Sequence, residues 1–294
     1  MRSESSTGWT SSMYWLYQSS RCASTRALRR WVSMLAALLA AAAAVAPLPA
    51  NVRWDYQIGG DYPPPAGVGA VVRDWFAGTP QPGAYSVCYV NAFQTQDDEA
   101  GVARPDERSA WPRSLVLRKL GSDPNWGGEY LIDLRSAATR RRAARWVAPM
   151  LERCAEKGFA AVELDNLDSW TRFDGTPLAD EVPFGRRDAV DYAARLTRRA
   201  HALGLAVAQK NTVQLTRREA RRRIGFDFAL AEECGRYGDC AGYRRLYGDR
   251  VLAVEYRRRD FERACAAVGD RIAVILRDRL VSRPGSPRYR HAAC

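Results

Sequence analysis

The segment GFAAVELDNLDSW, residues 158–170, decides the fold class. It runs from a glycine through small and apolar residues and then places three carboxylates, Glu163, Asp165 and Asp168, at its end. A carboxylate in the middle of a strand that is buried on both faces is costly to desolvate unless it is paired. Acidic residues confined to the end of an apolar run therefore predict a buried strand whose carboxyl end opens onto a polar site.

Seven further apolar runs alternate with helix-like stretches along the chain. With the first segment they predict strands over residues 54–59, 69–75, 85–91, 159–165, 205–211, 226–232, 250–256 and 271–278. Helices are expected over residues 137–157, 187–203, 216–224, 241–248 and 259–268. Eight strands alternating with helices in a chain of this length predict a single-domain (β/α)8 TIM barrel, an α/β fold, with a doubly wound open sheet as the alternative.

Two regions interrupt this regular alternation. Residues 92–130 form a polar, proline-bearing connection, and residues 128–133 could add a strand. Residues 171–186 form a second long insertion after the fourth strand. Long loops at the carboxyl ends of barrel strands usually shape the active site.

The first fifty residues differ in composition from the rest. RALRR at 26–30 precedes the apolar run 31–46 and the ending PLPA at 47–50, which indicates a secretory signal peptide cleaved near Ala50. A retained N-terminal membrane anchor is the alternative for residues 1–50. The protein is therefore expected to be secreted or extracytoplasmic, without stable membrane contact unless the segment is retained.

The chain carries a formal charge of +12, and loss of five arginines and one glutamate with residues 1–50 would lower it to +8. Three of the 45 basic residues are lysines, and the arginines fall in helical runs typical of solvated faces. Nucleic-acid binding is not expected, because zinc-finger spacing and aromatic-interleaved basic strands are missing from the sequence.

The cysteine and histidine content limits the kinds of catalytic and metal site that the sequence can form. Six of the seven cysteines follow residue 50, as in exported proteins, and a disulfide could close the short loop between Cys234 and Cys240. The sequence holds two histidines, His201 and His291, and no CxxC motif. We therefore expect neither a metal site nor a cofactor, nor Ser-His-Asp catalysis.

Charged or polar residues recur where predicted strands end: Asp74, Glu163, Asp165, Asp168, Lys210, Asn211, Glu232, Glu233, Glu255 and Asp278. Two carboxylates facing each other across a cleft can hydrolyse a glycosidic bond without histidine or metal. Aromatic rings near strand ends could lie against sugar rings, although core packing is the commoner role of tryptophan. They are Trp54, Tyr56, Trp75, Trp126, Trp170, Tyr237 and Tyr256.

Alternation along the strands predicts which carboxylates face the barrel axis. In the fourth strand Val162 and Leu164 would face the helices, which turns Glu163 and Asp165 inward. A turn-capping role for Asp168 and an ion pair between Glu163 and Lys210 are the structural alternatives.

In the sixth strand, Phe226, Phe228 and Leu230 would face the helices. Strict alternation then turns Glu233 rather than Glu232 inward. Because strand ends often bend or bulge, alternation leaves the choice between these two glutamates open.

Several segments together resemble a known enzyme family. They are WDYQIGG (54–60), CYVNAFQTQ (88–96), VELDNLD (162–168), GLAVAQKN (204–211), FDFALAEECGRYGDC (226–240) and LRDR (276–279). The set resembles glycoside hydrolase family 114, the endo-α-1,4-polygalactosaminidase type, over residues 51–283, with 284–294 as a C-terminal tail. DNxD after the fourth strand and ExCxxYxxC after the sixth are its most specific elements.

The resemblance implies a (β/α)8 barrel and assigns the catalytic carboxylates to Asp165 and Glu232. It implies that Lys210 and Asn211 are partners of the substrate or of the carboxylates. It also implies that Cys234 and Cys240 are paired. The segment AEEC departs from the family pattern, since Ala231 and Glu233 replace an asparagine and a glutamine.

The expected protein is a monomeric secreted glycosidase that cleaves internal α-1,4 linkages of a galactosamine-containing polysaccharide. Residues expected to bind substrate are Asp168, Lys210, Asn211, Trp54, Tyr56, Tyr237, Glu233 and Asp278. A non-catalytic carbohydrate-binding protein on the same barrel is the alternative. Because the chain is basic, a polycationic substrate requires a locally acidic cleft, and an acetylated or neutral substrate is the other possibility.

Overall fold

A computed structural model describes residues 45–96 and 111–294. Residues 1–44, which make up most of the expected signal or anchor segment, lie outside the described part of the chain. Within that part, no helix is both long enough and apolar enough to cross a membrane.

All eight expected strands form. They are β1 (Trp54–Tyr56), β2 (Ala70–Asp74), β3 (Tyr85–Asn91), β4 (Ala161–Asp165), β5 (Ala206–Lys210), β6 (Phe228–Glu232), β7 (Val251–Glu255) and β8 (Ala273–Arg277), followed by β9 (His291–Ala293). The first eight pair in parallel in chain order, and β9 pairs antiparallel with β8. This curled sheet confirms the predicted α/β barrel class.

The α-helices are α1 (Ala137–Glu156), α2 (Arg186–Ala202), α3 (Cys234–Tyr237), α4 (Cys240–Tyr247) and α5 (Arg258–Val268). Residues Arg218–Ile224 form a π-helical turn where an α-helix was expected. The suggested strand at 128–133 is reduced to isolated bridges, which pair Leu131 with Gln94 and Ile132 with Val116.

Two apolar layers position the strands. Side chains from the concave face of the sheet form an inner core, which includes Tyr56, Tyr89, Phe228 and Leu230. The convex face packs on the helices in a larger outer core, with α1 contributing Val147 and Leu151 among others. Carboxylates at the strand ends therefore lie above a dry interior.

The predicted orientation is right for β4 and wrong for β6. Val162 and Leu164 pack in the outer core, as expected. In β6 the bulky Phe228 and Leu230 fill the inner core, while small alanines face the helices and allow their close approach. The same alternation then turns Glu232, and not Glu233, toward the axis.

The edge between β1 and β8 is held by side chains. The indole nitrogen of Trp54 donates to the carbonyl oxygen of Ala273 at 3.2 Å, and Arg277 pairs with Asp55 at 2.7 Å, both fully buried. The segment expected to be a tail supplies β9 on the free edge of β8, where His291 lies 3.6 Å from Asp55.

Three disulfides connect the layers: Cys88–Cys154, Cys234–Cys240 and Cys265–Cys294. The first joins β3 to α1 and the third joins α5 to the end of β9. The second closes the loop after β6, as the family resemblance implied.

Candidate active site

Lys210 is the centre of the candidate site. It ends β5 and is 1% exposed, yet its ammonium nitrogen lies 2.6 Å from a Glu163 oxygen, 2.9 Å from Asp165 and 3.7 Å from Glu232. Burial lowers its pKa, but the three carboxylates raise it by more, so the net shift is upward. A permanent positive charge therefore holds carboxylates from β4 and β6 together.

Asp165 is held as an anion. One of its oxygens accepts from the backbone N–H of Asn166 at 2.8 Å, and the other accepts from the hydroxyl of Tyr89 at 2.7 Å. Asn166 can turn its N–H back because it adopts a left-handed conformation, with φ of 62°. Burial raises the pKa of Asp165, but the Lys210 ammonium and these hydrogen bonds outweigh burial, so the pKa lies below its ordinary value.

Glu232 faces the solvent more than Asp165 does. Its side chain is 27% exposed, compared with 16% for Asp165. The hydroxyl of Tyr256 donates to one of its oxygens at 2.5 Å, while its backbone N–H donates to the Asn211 amide oxygen at 2.8 Å. Asn211 thus fixes the backbone from which this carboxylate projects.

Glu233 turns away from Lys210. It adopts a left-handed conformation with φ of 56°, and its carboxylate pairs with Arg236 at 2.9 Å. The geometry thus brings Glu232 into the carboxylate cluster and leaves Glu233 on the wall of the cleft.

Glu163 lies beneath the other carboxylates and is fully buried. One of its oxygens accepts from Lys210 and, at 2.9 Å, from the hydroxyl of Tyr56. Burial raises the pKa of Glu163 to about 7, although Lys210 opposes the shift. Glu163 and Tyr56 therefore support Lys210 from below.

A cleft of about 490 Å³ opens beside Glu232. Its lining residues include Asn211, Asp168, Glu233 and Tyr237, and the Tyr237 ring is 67% exposed. Apolar rings beside polar groups suit a sugar ring, which has both kinds of surface.

A further polar cluster lies behind Asp165, where Asn91 pairs with it across the β3–β4 ladder. The Asn91 amide donates to Glu129 at 3.2 Å and accepts from Asn166 at 3.0 Å. Burial, followed by the charge of Asp165, raises the pKa of Glu129 to about 8.

Asp168 is tied to the same cluster through Arg172, whose guanidinium lies 3.1 Å from Asp168 and 3.2 Å from Asp123. Burial raises the pKa of Asp168, and the charge of Arg172 opposes the shift. Asp168 is therefore both ion-paired and exposed to the cleft.

Lys210 is buried and does not line the cleft, and three more of the residues expected to bind substrate lie away from it. Trp54 and Tyr56 are fully buried in the inner core, Trp54 because its ring fills the base of the barrel beside β8. The Asp278 carboxylate caps the next turn by accepting from the Ser282 backbone N–H at 3.1 Å and from its hydroxyl at 2.8 Å. Only Tyr56 of the three touches the carboxylate cluster, through Glu163.

Sequence reasoning missed Tyr89, Asn91, Glu129 and Arg172. Alternation in YSVCYVN already places Tyr89 and Asn91 on one face, and the pairing register sets them opposite Glu163 and Asp165. Glu129 and Arg172 lie in irregular connections, where the sequence has no hydrophobic period from which their positions could be predicted.

Among the described residues, one group brings at least three metal-ligand atoms together: Cys234, Cys240 and Glu255. Its two sulfurs are bonded to each other, and a Glu255 oxygen accepts from the Gly235 backbone N–H at 2.6 Å. This donor set does not suit a metal ion.

The model of glycoside-hydrolase family GH114 matches residues 35–290. The crystal structure of Aspergillus fumigatus Ega3 in complex with galactosamine is similar, with a TM-score of 0.65 and 16% identity over 84% of this chain and 97% of that chain. The glycoside hydrolase domain of PelA from Pseudomonas aeruginosa gives a TM-score of 0.52 and 16% identity over 80% and 97%. No curated protein matches the sequence. The chain belongs to glycoside-hydrolase family GH114 and is a glycosidase.

Proposed function

We propose that this glycosidase cleaves internal α-1,4 linkages of a galactosamine-containing polysaccharide, with Asp165 and Glu232 as its catalytic carboxylates. The observation that carries the proposal is that both share one buried ammonium group at the ends of β4 and β6, beside an open cleft. The similarity to Ega3, whose structure contains galactosamine, supports an amino-sugar substrate.

The environments of the two carboxylates support different roles. Asp165 has a pKa below its ordinary value, so it stays ionised and is suited to attack the anomeric carbon. Glu232 lines the cleft and is more exposed than Asp165, so its carboxyl group is placed to reach the leaving glycosidic oxygen and protonate it. In the second half-reaction Glu232 would accept a proton from water as the water displaces Asp165 from the sugar.

The spacing supports retention of configuration. Oxygens of Asp165 and Glu232 lie 2.9 Å and 3.7 Å from the same nitrogen, which keeps these oxygens close enough for the separation of about 5–5.5 Å in retaining enzymes. Inverting enzymes need about 6.5–9.5 Å to admit a water molecule.

Local charge supports a cationic sugar near Asp165. Carboxyl groups outnumber cations here even when Glu163 and Glu129 are protonated, because four more surround Lys210 and Arg172: Asp165, Asp168, Asp123 and Glu232. This excess of carboxyl groups is the locally acidic region that a basic chain needs if it binds a cationic substrate. A sugar ammonium group would offset the excess.

The test is reducing-end release and product mass from deacetylated and acetylated galactosaminogalactan. Asp165→Asn and Glu232→Gln are compared with the intact protein, and Glu233→Gln is the matched control. We expect internal cleavage by the intact protein and a fall in kcat of about 10²-fold or more in the two catalytic variants. Glu233→Gln removes a carboxylate that lines the cleft, so it should change KM and keep kcat.

Other results would change the catalytic residues or the proposed function. Near-normal rates in either variant would remove that residue from the mechanism, and a loss in Glu233→Gln alone would exchange the two glutamates. Saccharide binding without product from any of these glycans would favour the non-catalytic alternative.

We further propose that the protein acts outside the cytoplasm, as a monomer. Three disulfides support an oxidising compartment. N-terminal sequencing of protein recovered from culture medium would test cleavage near Ala50, and light scattering would test the monomer.

A further inference from the structure

Four arginines line the cleft, and they fall into two kinds. Arg172 pairs with Asp123 and Asp168, and Arg236 pairs with Glu233. For Arg257 and Arg279, the described parts of the chain provide no carboxylate partner, and both are exposed. These two guanidinium groups therefore face the cleft with their hydrogen-bond donors available to a ligand.

An aromatic surface lies beside this unpaired charge. The Arg279 guanidinium carbon lies 5.0 Å from the centre of the Trp126 ring, and that ring is 37% exposed. A guanidinium over a ring face keeps the N–H groups on its edge free for a ligand, and its planar fork matches a carboxylate.

The aromatic surface is fixed in place. The buried Asp123 carboxylate accepts from the backbone N–H groups of Asn125 at 2.7 Å and of Trp126 at 3.2 Å. Arg172 and Gln94 hold that carboxylate from the other side, at 3.2 Å and 3.0 Å. Trp126 thus sits on a capped turn that is anchored in the barrel.

We infer that Trp126, Arg257 and Arg279 form a subsite for a carboxylate-bearing sugar residue. The inference rests on the proposed function and narrows its substrate class to a polysaccharide that carries acidic as well as amino sugars.

The position of the subsite fits a chain that crosses the barrel mouth. Arg257 follows β7, Arg279 follows β8 and Trp126 lies in the connection from β3 to α1. All three line the same cleft as Glu232, whereas the excess of carboxyl groups lies around Asp165. One polymer could therefore place an ammonium group beside Asp165 and a carboxylate against the two arginines.

The test is calorimetric binding of three probes to the intact protein: α-1,4-digalacturonate, neutral α-1,4-galactobiose and galactosamine. We expect digalacturonate to bind about tenfold more tightly than galactobiose. Arg257→Gln and Arg279→Gln should each weaken digalacturonate about tenfold, because each removes a hydrogen bond between charged groups. Arg279→Lys keeps the charge without the fork and should lose part of this affinity.

The matched control is Arg271→Gln, which removes an exposed arginine that pairs with Asp270 before β8. It should bind digalacturonate as the intact protein does. Thermal melting of each variant separates loss of binding from loss of folding.

Equal affinity for digalacturonate and galactobiose, or unchanged affinity in folded Arg257→Gln and Arg279→Gln variants, would overturn the inference. If polygalactosamine is still cleaved in that case, the proposed function stands without the subsite. Tight digalacturonate binding that needs both arginines, without cleavage of any galactosamine polymer, would support the subsite and remove the proposed function.

Discussion

Lys210 is the buried cation that helps to hold the pKa of Asp165 below its ordinary value. Its ammonium group is within 4 Å of Glu163, Asp165 and Glu232, and it is almost completely buried. A buried ion pair is expensive to form, and loss of one partner leaves the other charges uncompensated. The residue is therefore needed both to favour the ionised form of Asp165 and to keep the two carboxylates that we propose as catalytic together.

Replacement of this lysine, Lys210→Met, should affect activity and its pH dependence together. Burial then raises the pKa of Asp165 with only the hydrogen bonds from Tyr89 and Asn166 to oppose it, so the acidic limb of kcat/KM moves to higher pH. We expect activity near neutral pH to fall about 10²-fold or more through misplacement of the carboxylates. The free energy of unfolding should fall by about 3–5 kcal/mol. A pH–rate profile and urea denaturation measure the two effects.

Lys157→Met is the matched control for this experiment. The Lys157 ammonium donates to the backbone carbonyls of Trp75, Phe76 and Gly78, at 2.7–2.9 Å. It should lose stability and keep the position of the acidic limb. An unshifted acidic limb in a folded Lys210→Met protein would show that Lys210 does not set the ionisation of Asp165.

Glu163 provides a prediction of the opposite sign. Its pKa is raised from 4.5 to about 7, so the folded protein holds this proton more tightly than the unfolded chain does. The associated stability is fully present below about pH 4.5 and is lost as pH rises through about 7. Glu163→Gln cannot ionise and should lack this loss.

The measurement is urea unfolding of both proteins between pH 4.5 and 8. As the pH rises to about 7, the intact protein should lose stability relative to Glu163→Gln. Above about pH 7 the difference between their free energies of unfolding should remain constant. The control is Glu152→Gln, which removes a carboxylate on α1 that pairs with Arg199 on α2. Parallel pH curves for Glu163→Gln and the intact protein would refute the raised pKa.

At the scale of elements, the disulfides differ in what they restrain. Cys88–Cys154 closes a separation of 66 residues, and Cys234–Cys240 closes one of 6. Chain entropy then predicts a cost of about 4 kcal/mol for losing the first and about 2 kcal/mol for losing the second. Urea denaturation of the paired Cys→Ala variants measures both values.

The shorter disulfide should matter more for catalysis, because it closes the loop that carries Tyr237, which lines the cleft. We expect its loss to raise KM, whereas loss of Cys88–Cys154 should leave KM unchanged. The reverse ranking, in stability or in KM, would contradict this assignment.

The elements also show what the sequence could predict. Apolar runs with charged ends were sufficient to locate all eight barrel strands, because their burial on both faces leaves a continuous hydrophobic pattern. Alternation succeeded in β4, where valine and leucine face the helices. It failed in β6, because apolar size does not reveal the face: phenylalanine fills the barrel interior and alanine faces the helices.

Pairings between distant segments were beyond the sequence pattern. The strand β9 spans three residues, too few to show a period, and it depends on the free edge of β8. Arg277 looks in sequence like an ion-pair partner of its neighbour Asp278. In the fold it crosses to Asp55, which is 222 positions away. Such contacts follow from closure of the sheet and not from local propensity.

At the scale of the whole molecule, the net positive charge of the chain repels the proposed cationic substrate at long range. The full chain carries +12, or +8 after the proposed cleavage near Ala50, with many arginines on helices, while carboxyl groups gather around Asp165. A polycation is therefore repelled at a distance and attracted near the site. Salt screens the long-range repulsion first, because the contacts inside the site are shorter than a Debye length.

This separation predicts an unusual salt effect on cleavage of fully deacetylated polygalactosamine. Raising ionic strength from about 10 mM to about 150 mM shortens the Debye length from about 30 Å to about 8 Å, so kcat/KM should rise severalfold. The acetylated polymer is the control, since an uncharged substrate should show almost no dependence. A fall in kcat/KM over this range would mean that the acidic cluster around Asp165 dominates even at long range, and that the arginines of the outer helices do not affect encounter.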